Sequence, residues 1–110
     1  MAENKDYMSK ELENGTVNIN EEVIVTIAAA AIRDVEGVVS VRNDRKGIHV
    51  ELGDQSVALE CGLVLLYGHS VVDIAKNVQN AVVNAVESMT GLKVTSVDVN
   101  VTGISMGKQG

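Results

Sequence analysis

Between residues 16 and 103 the spacing of apolar side chains switches repeatedly between a period of two and a period of about 3.6, and the order of those switches constrains the fold more than any other property of the chain. Thr16 to Ile19 alternates, with Val17 and Ile19 on one face, after the turn signal Asn14-Gly15. Asn20 is a suitable helix N-cap, and Glu21 and Glu22 follow where carboxylates favour the positive end of the helix dipole. Val23, Ile24, Ile27, Ala28, Ala31, Ile32 and Val35 then recur at helical spacing, and Gly37 can take the left-handed conformation that ends such a helix.

Three strands are expected next: Val38 to Val41, Gly47 to Leu52 and Gln55 to Tyr67, separated by the polar loops Arg42 to Lys46 and Gly53-Asp54. A two-residue turn at Gly53-Asp54 places Leu52 opposite Gln55, Val50 opposite Val57 and Ile48 opposite Leu59. Ile48 and Val50 then share a face with Val57, Leu59 and Cys61, while His49, Glu51, Ser56 and Glu60 share the other. Ser70 and Asp73 resemble a capping box for a second helix, whose stripe is Val71, Ile74, Ala75, Val78, Val82, Ala85, Val86 and Met89, with Gly91 as its stop. Lys93 to Gly103 is the last strand.

The order β-α-β-β-β-α-β predicts an α+β fold: a two-layer sandwich in which a mixed sheet of about five strands carries two helices on one face, since right-handed crossovers put both on the same side. Residues 15–104 form this single domain. Residues 1–14, polar and without apolar period, read as a flexible leader, and residues 105–110 as a flexible tail.

Composition narrows the function. The chain of 110 residues carries 9 Lys and Arg against 15 Asp and Glu, a formal net charge of -6, which speaks against phosphate neutralisation and hence against a nucleic-acid partner. Its 2 Tyr, Tyr7 and Tyr67, with no Phe or Trp, leave little to stack bases on. The longest nearly unbroken apolar stretch, Val23 to Ile32, is about half of a bilayer span, and the N-terminus lacks the order of a signal peptide, so no direct membrane insertion is expected. A single Cys and no secretory signal point to the cytoplasm.

Candidate chemistry is sparse. Cys61 falls on the inner face of a strand, where a thiol is a small hydrophobe with a raised pKa. His49, Glu51 and Glu60 converge on the outer face but lack a closed set of metal ligands. Gly68-His69-Ser70 opens a helix, an arrangement that capping alone explains. Catalytic residues, cofactor and metal are therefore all expected to be absent. Gly107-Lys-Gln-Gly110 matches the GXXG letters of a KH-type RNA clamp without its helical context, and Arg42, Arg45 and Lys46 form a small basic loop; together they support, as the alternative reading, a small KH-like RNA-binding or regulatory module.

One strand breaks its own pattern. Up to Glu60 it alternates, but from Gly62 both faces are apolar: Leu63, Leu65 and Tyr67 on one, Val64 and Leu66 on the other. With both helices on one face, Val64 and Leu66 lie on the uncovered side. Burying two such side chains is worth roughly 3 to 6 kcal/mol before entropy is subtracted, so this surface is expected either to meet a partner or to be covered by the leader or a neighbouring loop. The interaction candidates are thus Val64, Leu66, Arg42, Arg45 and Lys46.

The stretch GTVNINEEVIVTIAAAAIRDVEGVVSV, followed by LVLLYGHSVVDIAKNVQNAVVNAVESMTGLKVTSVDVNVTGI, resembles the alkaline-shock, Gls-type envelope stress response proteins of Gram-positive bacteria. Carrying the resemblance are Glu22-Val23-Ile24, Val35-Glu36-Gly37-Val38, Tyr67-Gly68, Val78-Gln79, Met89-Thr90-Gly91-Leu92 and Val97-Asp98-Val99-Asn100-Val101. The resemblance implies a cytoplasmic, non-enzymatic protein, prone to self-association and held at the inner face of the membrane by a membrane-embedded partner. No catalytic residues come with it.

Overall fold

Leu63, Leu65, Cys61, Leu59 and Val57 point to one side of a single strand and are all nearly or wholly removed from solvent; the rest of the molecule is arranged to cover that row. The computed structural model describes residues 7–41 and 47–106. In chain order the elements are β1 (Tyr7–Leu12), β2 (Gly15–Asn20), α1 (Glu21–Arg33), β3 (Val38–Val41), β4 (Ile48–Leu52), β5 (Ser56–Leu66), α2 (Val71–Thr90) and β6 (Lys93–Ser105).

β5 is the spine. β6 pairs with it in parallel from Ser56 to Leu66. β4 pairs antiparallel with Val57 to Cys61, and β3 antiparallel with Leu63 to Leu65. A strand has two edges, so β3 and β4 must lie end to end along the edge that β6 does not use. The backbone bonds agree: Gly62 N–H donates to the Gly47 carbonyl at 2.7 Å and Leu66 N–H to that of Gly37 at 2.8 Å, whereas Tyr67 N–H donates to the Ser105 carbonyl at 2.8 Å.

Both helices lie on the inner face, as the order of elements requires. α1 contributes Ile24, Ile27, Ala28 and Ile32, and α2 contributes Ile74, Val78, Val82 and Val86 at strict four-residue spacing. Both N-caps and the stop of α2 are those the sequence indicates. Asn20 Oδ1 accepts from Glu22 N–H at 2.9 Å, Ser70 Oγ accepts from Asp73 N–H at 3.2 Å, and Gly91 ends α2 in the left-handed conformation.

Four details differ from the sequence reading. First, β2 is not in the main sheet. It pairs antiparallel with β1 in a separate two-stranded sheet. Asn20 is at once the last residue of β2 and the N-cap of α1, so the chain has no connecting residues with which to pass from the helix layer to the sheet layer about 10 Å below. Second, residues 7–12, assigned to the leader, supply β1; residues 1–6 and the tail residues 107–110 lie outside the described residues. Third, α1 stops at Arg33 with Asp34 as its C-cap. Gly37 takes its positive φ of 96° one turn later, where an added Cβ would sit 2.6 Å from Ile74 Cδ1.

Fourth, the β4–β5 turn is centred on Asp54-Gln55, one residue later than expected: Gly53 N–H donates to the Ser56 carbonyl at 2.8 Å, and Leu52 pairs with Val57. Val50 accordingly faces Leu59 and Ile48 faces Cys61. The register moves by two residues, an even number, so every side chain stays on the face assigned to it. Gln55 accepts a φ of 60° at this turn, and its side chain donates to the Ser9 carbonyl at 2.8 Å, tying β1 to the sheet.

Candidate interaction surface

Every second residue of β5 faces away from the helices, and the matching positions of its neighbours extend that outer face sideways. In the half nearer β4 the face is polar: His49 pairs with Glu60, Glu51 with Ala58, and Glu60 with Asp98 on the β6 side. Asn100 Nδ2 donates to Glu60 Oε2 at 2.7 Å, bridging the two strands. Among the described residues no three His, Cys, Asp or Glu side chains gather closely enough to hold a metal ion.

The other half of the same face is apolar or bare. Val64 pairs with Ser40 on one side and Gly103 on the other, and Leu66 pairs with Ser105. A Cβ on Gly103 would rest 3.7 Å from Val64 Cγ2, so glycine here leaves the flank of Val64 open. Val64 and Leu66 are each half-buried. The helices pack on the opposite face, and β1 is tied to the far end of β5 through Gln55 and Ser9. Where β5 and β6 finish and α2 begins, Tyr67, Val72, Ile104 and Met106 are exposed, Tyr67 at 65% and Met106 at 72%. Val39, in the irregular part of β3, is exposed as well.

The remaining candidates separate. Cys61 is fully buried on the inner face, and burial, reinforced by the carboxylates of Glu60 and Asp98, pushes its thiol from 9.0 up to about 11. It is a core residue. His69 is exposed, and the Ser70 hydroxyl beside it is engaged with the Asp73 N–H. Arg42, Arg45 and Lys46 lie outside the described residues, as does the GXXG-like segment 107–110.

Two polar residues that sequence reasoning passed over touch the other exposed boundary of the sheet. Gln79 Nε2 donates to the Val97 carbonyl at 3.0 Å, and Glu87 Oε2 accepts from Val94 N–H at 2.9 Å. Both reach from α2 to the edge of β6 that β5 leaves open. The signal available in the sequence was their position beside the buried stripe of α2, Gln79 next to Val78 and Glu87 next to Val86, where a polar side chain lies alongside the strand that its helix covers.

The architecture is that of a small two-layer α+β domain. The chain belongs to the alkaline-shock protein 23 family, described by a cell envelope-related function, whose model matches residues 9–106. It is 29% identical over 104 residues to the uncharacterized protein YqhY of Bacillus subtilis, covering 82% of this chain and 77% of the relative. To the uncharacterized protein YloU of the same organism it is 28% identical, covering 88% and 96%. A stress response regulator gls24 homolog of Streptococcus pyogenes is 28% identical over 86% of this chain and 62% of its own length. Among solved structures, MamM-CTD has a TM-score of 0.55 at 18% identity, covering 76% of this chain and 99% of that one; the likeness is one of fold.

Proposed function

We propose that the protein is a non-enzymatic scaffold of the envelope stress response, acting in the cytoplasm through self-association and through a membrane-embedded protein partner. The family's envelope-related description and the gls24 homologs support the stress role. The observation that carries the scaffold role is the outer face of β5, where Val64 and Leu66 lie half-buried on the side of the sheet without helices. Contiguous apolar surface of this kind marks sites of protein contact. No helix among the described residues is long and apolar enough to cross a membrane, and under this reading contact with the envelope passes through the partner.

Leu66→Lys puts a charge in the middle of the proposed contact. It should lower the mass measured by light scattering at high concentration while leaving the far-ultraviolet circular dichroism unchanged. A bait of the full chain should recover a membrane-spanning protein from the membrane fraction of its cell. Strictly monomeric wild type at high concentration removes the self-association part, and recovery of soluble proteins alone removes the membrane partner.

A further inference from the structure

β6 has one edge on β5 and one facing away, and the two can be assigned residue by residue. Lys93 N–H donates to the Gln55 carbonyl and the Ser105 carbonyl accepts from Tyr67 N–H, so these residues address β5. Val94 and Val97 address the other side, since their backbone groups meet Glu87 and Gln79 of α2. Between them, register shifts near Val57/Ala58 and Leu63/Val64 absorb one extra residue each on β6. From Val97 onward alternation places the N–H and C=O of Val99 and Val101 on the outward edge as well. α2 therefore blunts the first part of this edge with two side chains, while the described residues offer Val99 and Val101 no second strand.

We infer that this open segment pairs with the same segment of a second copy, antiparallel about a twofold axis at Asn100, joining the two sheets into one. The inference rests on the self-association reading above and adds to it a second contact, along the sheet edge beside the outer face that carries it. The register is selected by exclusion. A twofold at Asp98 opposes two carboxylates and destabilises the pair. A twofold at Val99 recruits Val97, whose carbonyl already accepts from Gln79. A twofold at Asn100 uses only the open groups: Val99 of each copy exchanges both backbone hydrogen bonds with Val101 of the other, Asp98 faces Thr102, and the inner faces meet valine to valine. The two copies carry -6 each, so added salt should strengthen the association, by screening their repulsion.

In this register the two Asn100 residues form a non-hydrogen-bonded pair, whose Cα atoms lie about 4.5 Å apart, inside the range a disulfide spans. Asn100 is exposed on the outer face, so Asn100→Cys gives up one solvent-exposed hydrogen bond, to Glu60, and leaves the core intact, and buried Cys61 does not compete for oxidant. Under mild oxidation the full-length Asn100→Cys chain should cross-link to a dimer at least tenfold faster than Asp98→Cys, whose thiols are four residues out of register. Val101→Pro removes an edge N–H that β5 does not use, and should raise the dissociation constant measured by sedimentation at least tenfold. Equal cross-linking of the two cysteine variants, in a wild type that self-associates and loses association through Leu66→Lys, overturns the edge pairing and leaves the scaffold reading intact. A wild type that stays monomeric overturns both.

Discussion

Cys61 shows how a single side chain ties the core to solution conditions. The folded chain holds its proton up to about 11, while in the unfolded chain the thiol ionises near its ordinary 9.0. Between those values the folded state binds more protons, so stability is complete below pH 9 and falls as pH rises toward 11. Two pKa units correspond to about 3 kcal/mol at the upper limit. Urea titrations at pH 8 and pH 11 should therefore show a loss in wild type that Cys61→Val largely lacks, and thiol reagents should leave the native protein unmodified at neutral pH. Gly37 is constrained by its backbone and its neighbours. Its φ of 96° strains any side chain, and an added methyl collides with Ile74 Cδ1, which is itself buried. Gly37→Ala should cost about 1 to 3 kcal/mol, read as a lower urea midpoint.

At the scale of elements, legibility followed from how local each cause is. Both helix starts could be read because a cap is a contact within three residues, as Asn20 with Glu22 and Ser70 with Asp73 show. The faces of β4 and β5 could be read despite a misplaced turn, because Gln55 moved the pairing by an even step. β1 could not. Its partner β2 was visible, but Ser9, Lys10 and Glu11 give it little apolar alternation, and its attachment comes from Lys10 Nζ donating to the Gly91 carbonyl at 3.3 Å and from Gln55, both remote in sequence. Of the interaction candidates, Val64 and Leu66 stand on the helix-free face as the double-sided apolar run suggested. The β6 edge escaped notice because an edge is a property of strand order, and strand order is settled by which partner β5 has on each side.

The whole molecule is elongated, 53 × 24 × 20 Å, with a radius of gyration of 15.2 Å against about 13 Å for a compact chain of this length. The thirteen residues of β6 account for much of the long axis, at about 3.3 Å each. Stability is distributed unevenly along it. The β1–β2 hairpin is exposed from Glu11 to Asn18 and, among its described side chains, sends Ile19 alone into the core, and two strands alone are marginal in water. Its backbone amides should exchange with deuterium well before those of β5, which has strands on both edges and helices above; equal protection in an exchange experiment would mean that the hairpin is clamped by a surface beyond its own fold.

β3 and β4 lie end to end on one edge of β5, and each holds its own register against that strand. Neither ladder depends on how much chain runs from Val41 to Gly47, and lengthening a loop costs only a logarithmic increment of closure entropy. The sheet is thus tolerant of insertion between β3 and β4, which makes that connection a natural splice site for a fluorescent reporter or an affinity handle.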